Sequence, residues 1–151
     1  MSEPNLFFAY DATLAPDRMA RLAPGARFLF TAHYPETRLA FVTPDTGEPL
    51  PTLSRDPGHT VWGGVFEIPG PQVATLIQQG IEQGRVEGYD QKAVDREGNK
   101  YDCLTFVTEG EPNGDQRPTA EYLEAMIRGA RHWSLPAGWV LGLEDLAGDA
   151  L

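Results

Sequence analysis

Thirteen prolines and sixteen glycines are spread through these 151 residues, so the chain is broken often into short runs that end at a turn-former. That punctuation suits many short strands joined by turns. Six stretches fit, Leu6–Tyr10, Ala26–Tyr34, Arg38–Thr43, Val61–Ile68, Tyr89–Asp95 and Lys100–Thr108. Each is rich in aromatic or β-branched residues and is bounded by Gly, Pro, Asp or Asn. Arg96-Glu97-Gly98-Asn99 lies between the last two as a hairpin turn.

Two segments carry helical periodicity instead. Val73, Leu76, Ile77 and Ile81 fall at i, i+3, i+4 and i+8 within Pro71–Ile81, one apolar face with Pro71 in the first turn. Gly84 is placed to cap that helix in a left-handed conformation, so Glu82 is expected near its C-terminus. The second helix starts after Thr119 as N-cap, with Glu121 and Glu124 early and Arg128, Arg131 and His132 late, an order that complements the helix dipole. Tyr122, Leu123, Met126, Ile127, Ala130 and Trp133 form its apolar stripe, and Gly129-Ala130 allow another element to approach closely.

The length fits one domain, residues 1–151. Forty-one per cent hydrophobic residues argue for a packed interior, and a formal charge of −10 disfavours nucleic acid as a partner. Acidic and basic residues are interspersed, as on a solvated surface. The start lacks a basic segment followed by a long apolar one, and no run approaches the roughly 18 apolar residues of a membrane helix. A cytoplasmic protein with no membrane partner is expected; the sequence leaves the oligomeric state open.

The catalytic inventory is sparse. Cys103 is the single cysteine, which excludes an intrachain disulfide, and it falls in an apparent strand as a structural thiol. His33, His59 and His132 show no metal-ligand spacing, so no metal and no cofactor is expected. Gly63-Gly64 form neither a Walker pattern nor GxGxxG and read as a bend or a close strand contact. A reaction using one carboxylate, no metal and no protein nucleophile remains compatible. Intramolecular aminolysis is of that kind, since the substrate brings its own attacking amine.

Several segments occur in an order that resembles the γ-glutamylcyclotransferase family, with its AIG2-like members. Phe8-Ala9-Tyr10-Asp11-Ala12-Thr13-Leu14 stands for its strand ending in Tyr-Gly-Ser-Asn-Leu, and Val61-Trp62-Gly63 for its Val-Trp-Gly segment. Glu82 followed by Tyr89 stands for its acidic turn and later tyrosine. Pro118-Thr119-Ala120-Glu121-Tyr122-Leu123, Gly129-Ala130 and Leu135-Pro136 stand for its tail. The resemblance implies an α+β fold, a mixed-sheet β-barrel with flanking helices. It also implies cyclisation of a γ-glutamyl compound to 5-oxoproline with release of an amine or amino acid. Glu82 falls on the general base, and Tyr10, Asp11, Ala12, Thr13, Leu14 and Tyr89 on the substrate site. A glutamate near a helix C-terminus beside an apolar residue such as Ile81 would have its anion disfavoured and be a better base near neutral pH.

The departures fall at that site. Asp11-Ala12-Thr13 replaces Gly-Ser-Asn, adding negative charge where the family loop presents backbone N–H groups to a carboxylate and removing glycine's freedom at positive φ. Gln79 and Gln83 replace the acidic residue and the glycine around the base. Two readings follow: an enzyme whose altered loop accepts a modified glutamyl compound, with Asp11 meeting a cationic group, or a small-molecule or partner-binding protein without turnover.

Overall fold

A computed structural model describes residues 5–45, 47–88, 91–112 and 116–149. The strands are β1 (Leu6–Ala9), β2 (Arg27–Val42), β3 (Leu50–Glu67), β4 (Arg85–Glu87), β5 (Ala93–Asp95), β6 (Lys100–Tyr101) and β7 (Phe106–Thr108). The helices are α1 (Pro16–Leu22), α2 (Gly70–Glu82), α3 (Ala120–His132) and α4 (Ala137–Asp149), with a 3-10 turn at Ala12–Leu14.

β2 and β3 form one long antiparallel hairpin: β2 runs through Pro35, beyond the expected strand end at Tyr34, and β3 starts at Leu50, ahead of the expected start at Val61. The ladder shifts register between Pro35 and Thr37, where Glu36 has φ 56° and Asp56–His59 loop out opposite it. A proline is tolerated at such a bulge because the ladder is already interrupted there. The expected turn between β5 and β6 is present. Asp95 Oδ1 accepts the Glu97 and Asn99 N–H groups at 2.9 Å each, and Gly98 takes φ 90°.

The main sheet runs β1-β3-β2-β5-β6, with β4 and β7 paired as a second, two-stranded sheet. It is not closed into a barrel. Its ladders are antiparallel, and its two outer strands are connected by chain, not by a ladder. After β6 the chain crosses to the opposite edge, where Leu104 makes one parallel bridge with Phe7. The stretch Lys100–Thr108 is therefore two strands in two sheets. Cys103 lies in the crossing, half-buried, its thiol pushed up to about 12 by burial with Asp102 adding to the effect.

Alternation along β1 explains two cores. Phe7 and Ala9 face one cluster with Phe66, Leu76, Phe106, Leu123 and Met126, beneath the helices. Phe8 and the following Tyr10 face another with Ala32, Tyr34, Val61 and Val65. The expected close contacts are made: a Cβ on Gly63 would lie 2.3 Å from the Ala9 carbonyl oxygen, and one on Gly129 2.3 Å from the Leu14 carbonyl carbon. α3 begins as the sequence indicates, with the Thr119 hydroxyl accepting the Tyr122 N–H at 3.1 Å. α1 and α4 were not expected. Among the described residues no helix is long and apolar enough to cross a membrane.

Candidate functional site

The loop after β1 is anchored at both ends. The Tyr10 hydroxyl donates to the Phe106 carbonyl at 2.7 Å, and the Leu14 carbonyl accepts the Trp133 indole N–H at 2.8 Å while its backbone packs on Gly129. Tyr10 and Leu14 are thereby fully buried. Between them Asp11 caps the 3-10 turn, its Oδ1 accepting the Thr13 N–H at 2.9 Å and the Thr13 hydroxyl at 2.5 Å.

Asp11 is also one half of a buried ion pair. Arg85, the first residue of β4 and directly after Gly84 at φ 81°, places Nη1 2.5 Å from Asp11 Oδ2. Its remaining donors are held as well: Nε meets the Thr108 hydroxyl at 3.2 Å, and Nη2 lies 2.8 Å from the Pro51 carbonyl and 2.9 Å from that of Phe106. Nη2 also reaches the Tyr10 hydroxyl at 3.0 Å. Burial alone would push the Asp11 carboxyl up, but the Arg85 guanidinium and the Thr13 bonds outweigh it and hold the group below the usual carboxylate range. Burial also pushes the hydroxyls of Tyr10 and Tyr122 well above the ordinary tyrosine range, so both stay protonated.

A cavity of about 230 Å³ opens over this pair. The loop contributes Asp11, Ala12 and Thr13, and α1 contributes Arg18 and Arg21. α2 turns Leu76, Gln79 and Gly80 toward it, and its C-cap Gln83 continues the same face at i, i+3, i+4 and i+7. Arg85, Phe106 and Tyr122 complete the lining that bears on the chemistry.

Glu82 is not part of that lining. It lies on the other side of the helix end, exposed, with Oε1 accepting from the Gln78 side chain at 3.3 Å. Ile81, expected to desolvate it, is 60% exposed. The reason is a matter of phase: Gly80, which packs against the Phe106 ring, occupies the buried face, and at about 100° per residue Ile81 and Glu82 are turned about 100° and about 200° away from it. Of the substrate residues named from the sequence, the structure gathers Asp11, Ala12 and Thr13 at the cavity and sets Tyr10 and Leu14 behind it. Tyr89 lies outside the described residues. The cation that Asp11 meets is the protein's own Arg85, not a group of a ligand. Arg85 itself was missed. The available signal was Asp11 at the end of the apolar run Leu6–Tyr10, since a charge placed there needs a partner of opposite sign.

The AIG2-like family model matches residues 60–143, more than half of the chain. The chain belongs to the AIG2-like family. Among relatives of this AIG2-like chain, it is 26% identical over 141 residues to Gamma-glutamylcyclotransferase of Homo sapiens, covering 89% of this chain and 74% of that protein. Identity to the Bos taurus protein of that name is 27% over 142 residues, with the same coverage. A solved structure titled Gamma-glutamyl cyclotransferase superposes with a TM-score of 0.79 at 26% identity, over 94% of this chain and 87% of that one. The resemblance in α+β architecture thus extends over nearly the whole molecule, while the identity is low.

Proposed function

We propose that the cavity over Asp11 and Arg85 receives a γ-glutamyl compound and that the chain carries out a cyclotransferase reaction on it. The substrate's α-amine attacks its γ-carbonyl, the bond to the leaving amine or amino acid breaks, and 5-oxoproline is formed. The observation that carries this reading is the cavity's place at the loop after β1, in a chain whose relatives are named for that reaction.

The lining fits a compound that is anionic at one end. Arg18 and Arg21 supply positive charge, and the Thr13 hydroxyl and the Gln79 and Gln83 amides supply neutral donors and acceptors. Holding a flexible glutamyl chain bent, with amine and carbonyl in contact, turns a rare encounter into the bound geometry, which can supply several powers of ten in rate. Proton removal is the weaker part of the machinery. Asp11, the described carboxylate that lines the cavity, is bonded to Arg85 and is a poorer base than a free carboxylate.

That last observation favours a second reading, a small-molecule binder without turnover. Purified protein incubated with a panel of γ-glutamyl amino acids and γ-glutamyl amines, with 5-oxoproline followed by mass spectrometry and binding by calorimetry, separates the two. Product from any member supports the enzyme. Heat of binding without product supports the binder, and neither signal overturns both.

A further inference from the structure

The Asp11 carboxylate is held as a protein holds a bound carboxylate ligand. A guanidinium meets one oxygen at 2.5 Å, while a backbone N–H and a hydroxyl converge on the other at 2.9 and 2.5 Å. The guanidinium is braced from behind by two carbonyls and two hydroxyls, so its direction is fixed without Asp11. The two side chains are 2% and 5% exposed, yet both residues line the cavity. Arg85, Thr13 and the loop backbone make up a carboxylate receptor whose occupant comes from the chain itself.

We infer that Asp11 is a resident carboxylate that fills this subsite from within the protein and so determines what the cavity accepts. A ligand meets a neutralised ion pair at the inner wall and has no anion position there. The cations left for it stand further out: Arg21 is 77% exposed and meets Asp17 at 3.9 Å, and Arg18 meets the largely exposed Glu121 at 3.9 Å while lying over the Tyr122 ring. Asp17 is itself engaged by Arg128 at 2.7 Å. The ligand's own carboxylate therefore sits at the mouth on Arg18 and Arg21, and the end that enters is uncharged. This placement rests on the reading of the cavity as the ligand site, whereas the resident carboxylate does not.

Acetate is the probe for the inner subsite. Asp11→Ala leaves Arg85 and Thr13 facing a space the size of a small carboxylate, so thermal unfolding of the variant should shift upward saturably as acetate replaces chloride at constant ionic strength. The wild type and the double variant Asp11→Ala/Arg85→Met should show no such shift. If Asp11→Ala is insoluble in chloride, recovery on refolding in acetate alone supports the inference equally. An identical response of variant and wild type, or failure to recover in either salt, overturns it. The outer position is tested separately: Arg18→Gln/Arg21→Gln should raise KM for any γ-glutamyl substrate found by about tenfold, the loss of one tenfold step in binding, with kcat little changed. An unchanged KM removes the arginines from recognition. Absence of turnover in the wild type would overturn the enzymatic reading while leaving the acetate result to stand or fall on its own.

Discussion

At the scale of single residues the molecule depends on a pair of opposite charges inside it. Removing one partner of such a pair costs about 3–5 kcal/mol, because the other is left buried without compensation. Asp11→Asn should therefore lower stability by that order near neutral pH, as read from urea unfolding. The pH dependence has a definite sign. The Asp11 carboxyl is lowered in the folded protein, so its contribution is fully present above the unfolded value of about 3.9 and is lost as pH falls through the folded one. Wild type should lose stability below about pH 4, and the Asn variant should show a flatter profile there. A parallel pair of profiles would exclude Asp11 as a source of acid lability. Glu82 gives the complementary case. From its solvent position Glu82→Gln should leave both turnover and Tm nearly unchanged, and a loss of turnover with an unchanged Tm would bring that carboxylate back into the mechanism. The helix and its end near Glu82 are legible in the sequence. The facing of its last turn is not, because apolar periodicity favours Ile81 whereas the packing of Gly80 on Phe106 sets the actual phase.

At the scale of elements, local signals do well where the element is decided locally. The N-cap of α3, the hairpin between β5 and β6 and the left-handed Gly84 after α2 were all legible, since cap, turn and positive-φ chemistry act over a few residues. Strand limits were not, because pairing across the sheet carries β2 through Pro35 and resumes in β3 on either side of the unpaired Asp56–His59. The crossing of the chain after β6 is a tertiary event with no local mark. The small-residue step Gly129-Ala130 was legible in kind, and its partner proves to be the loop end at Leu14. That contact ties the site to α3. Gly129→Val should drive branched carbons into the Leu14 backbone, costing about 1–3 kcal/mol or more. It should also displace the loop, so a lowered Tm together with weakened ligand binding is expected. Normal binding in a variant of lowered Tm would show that α3 supports the fold without positioning the loop.

At the scale of the whole molecule, the α+β layering follows from sequence pattern, since strand runs alternate with two periodic helices. Closure of the sheet does not, because it depends on where one connecting segment passes. That segment has a consequence for life in a crowded solution. Strand β1 lies at the rim of the main sheet, and Leu104 both donates to the Leu6 carbonyl and accepts the Phe8 N–H, at 2.8 Å each. The rim is thus stitched over by the chain that leaves β6, and a stranger's backbone finds no template there. Replacing Leu104 by proline removes one of the two stitches and should turn a dispersed protein into one that self-associates on gentle warming, visible as rising light scattering before the main unfolding transition. Unaltered scattering would mean that the rim is guarded by other means.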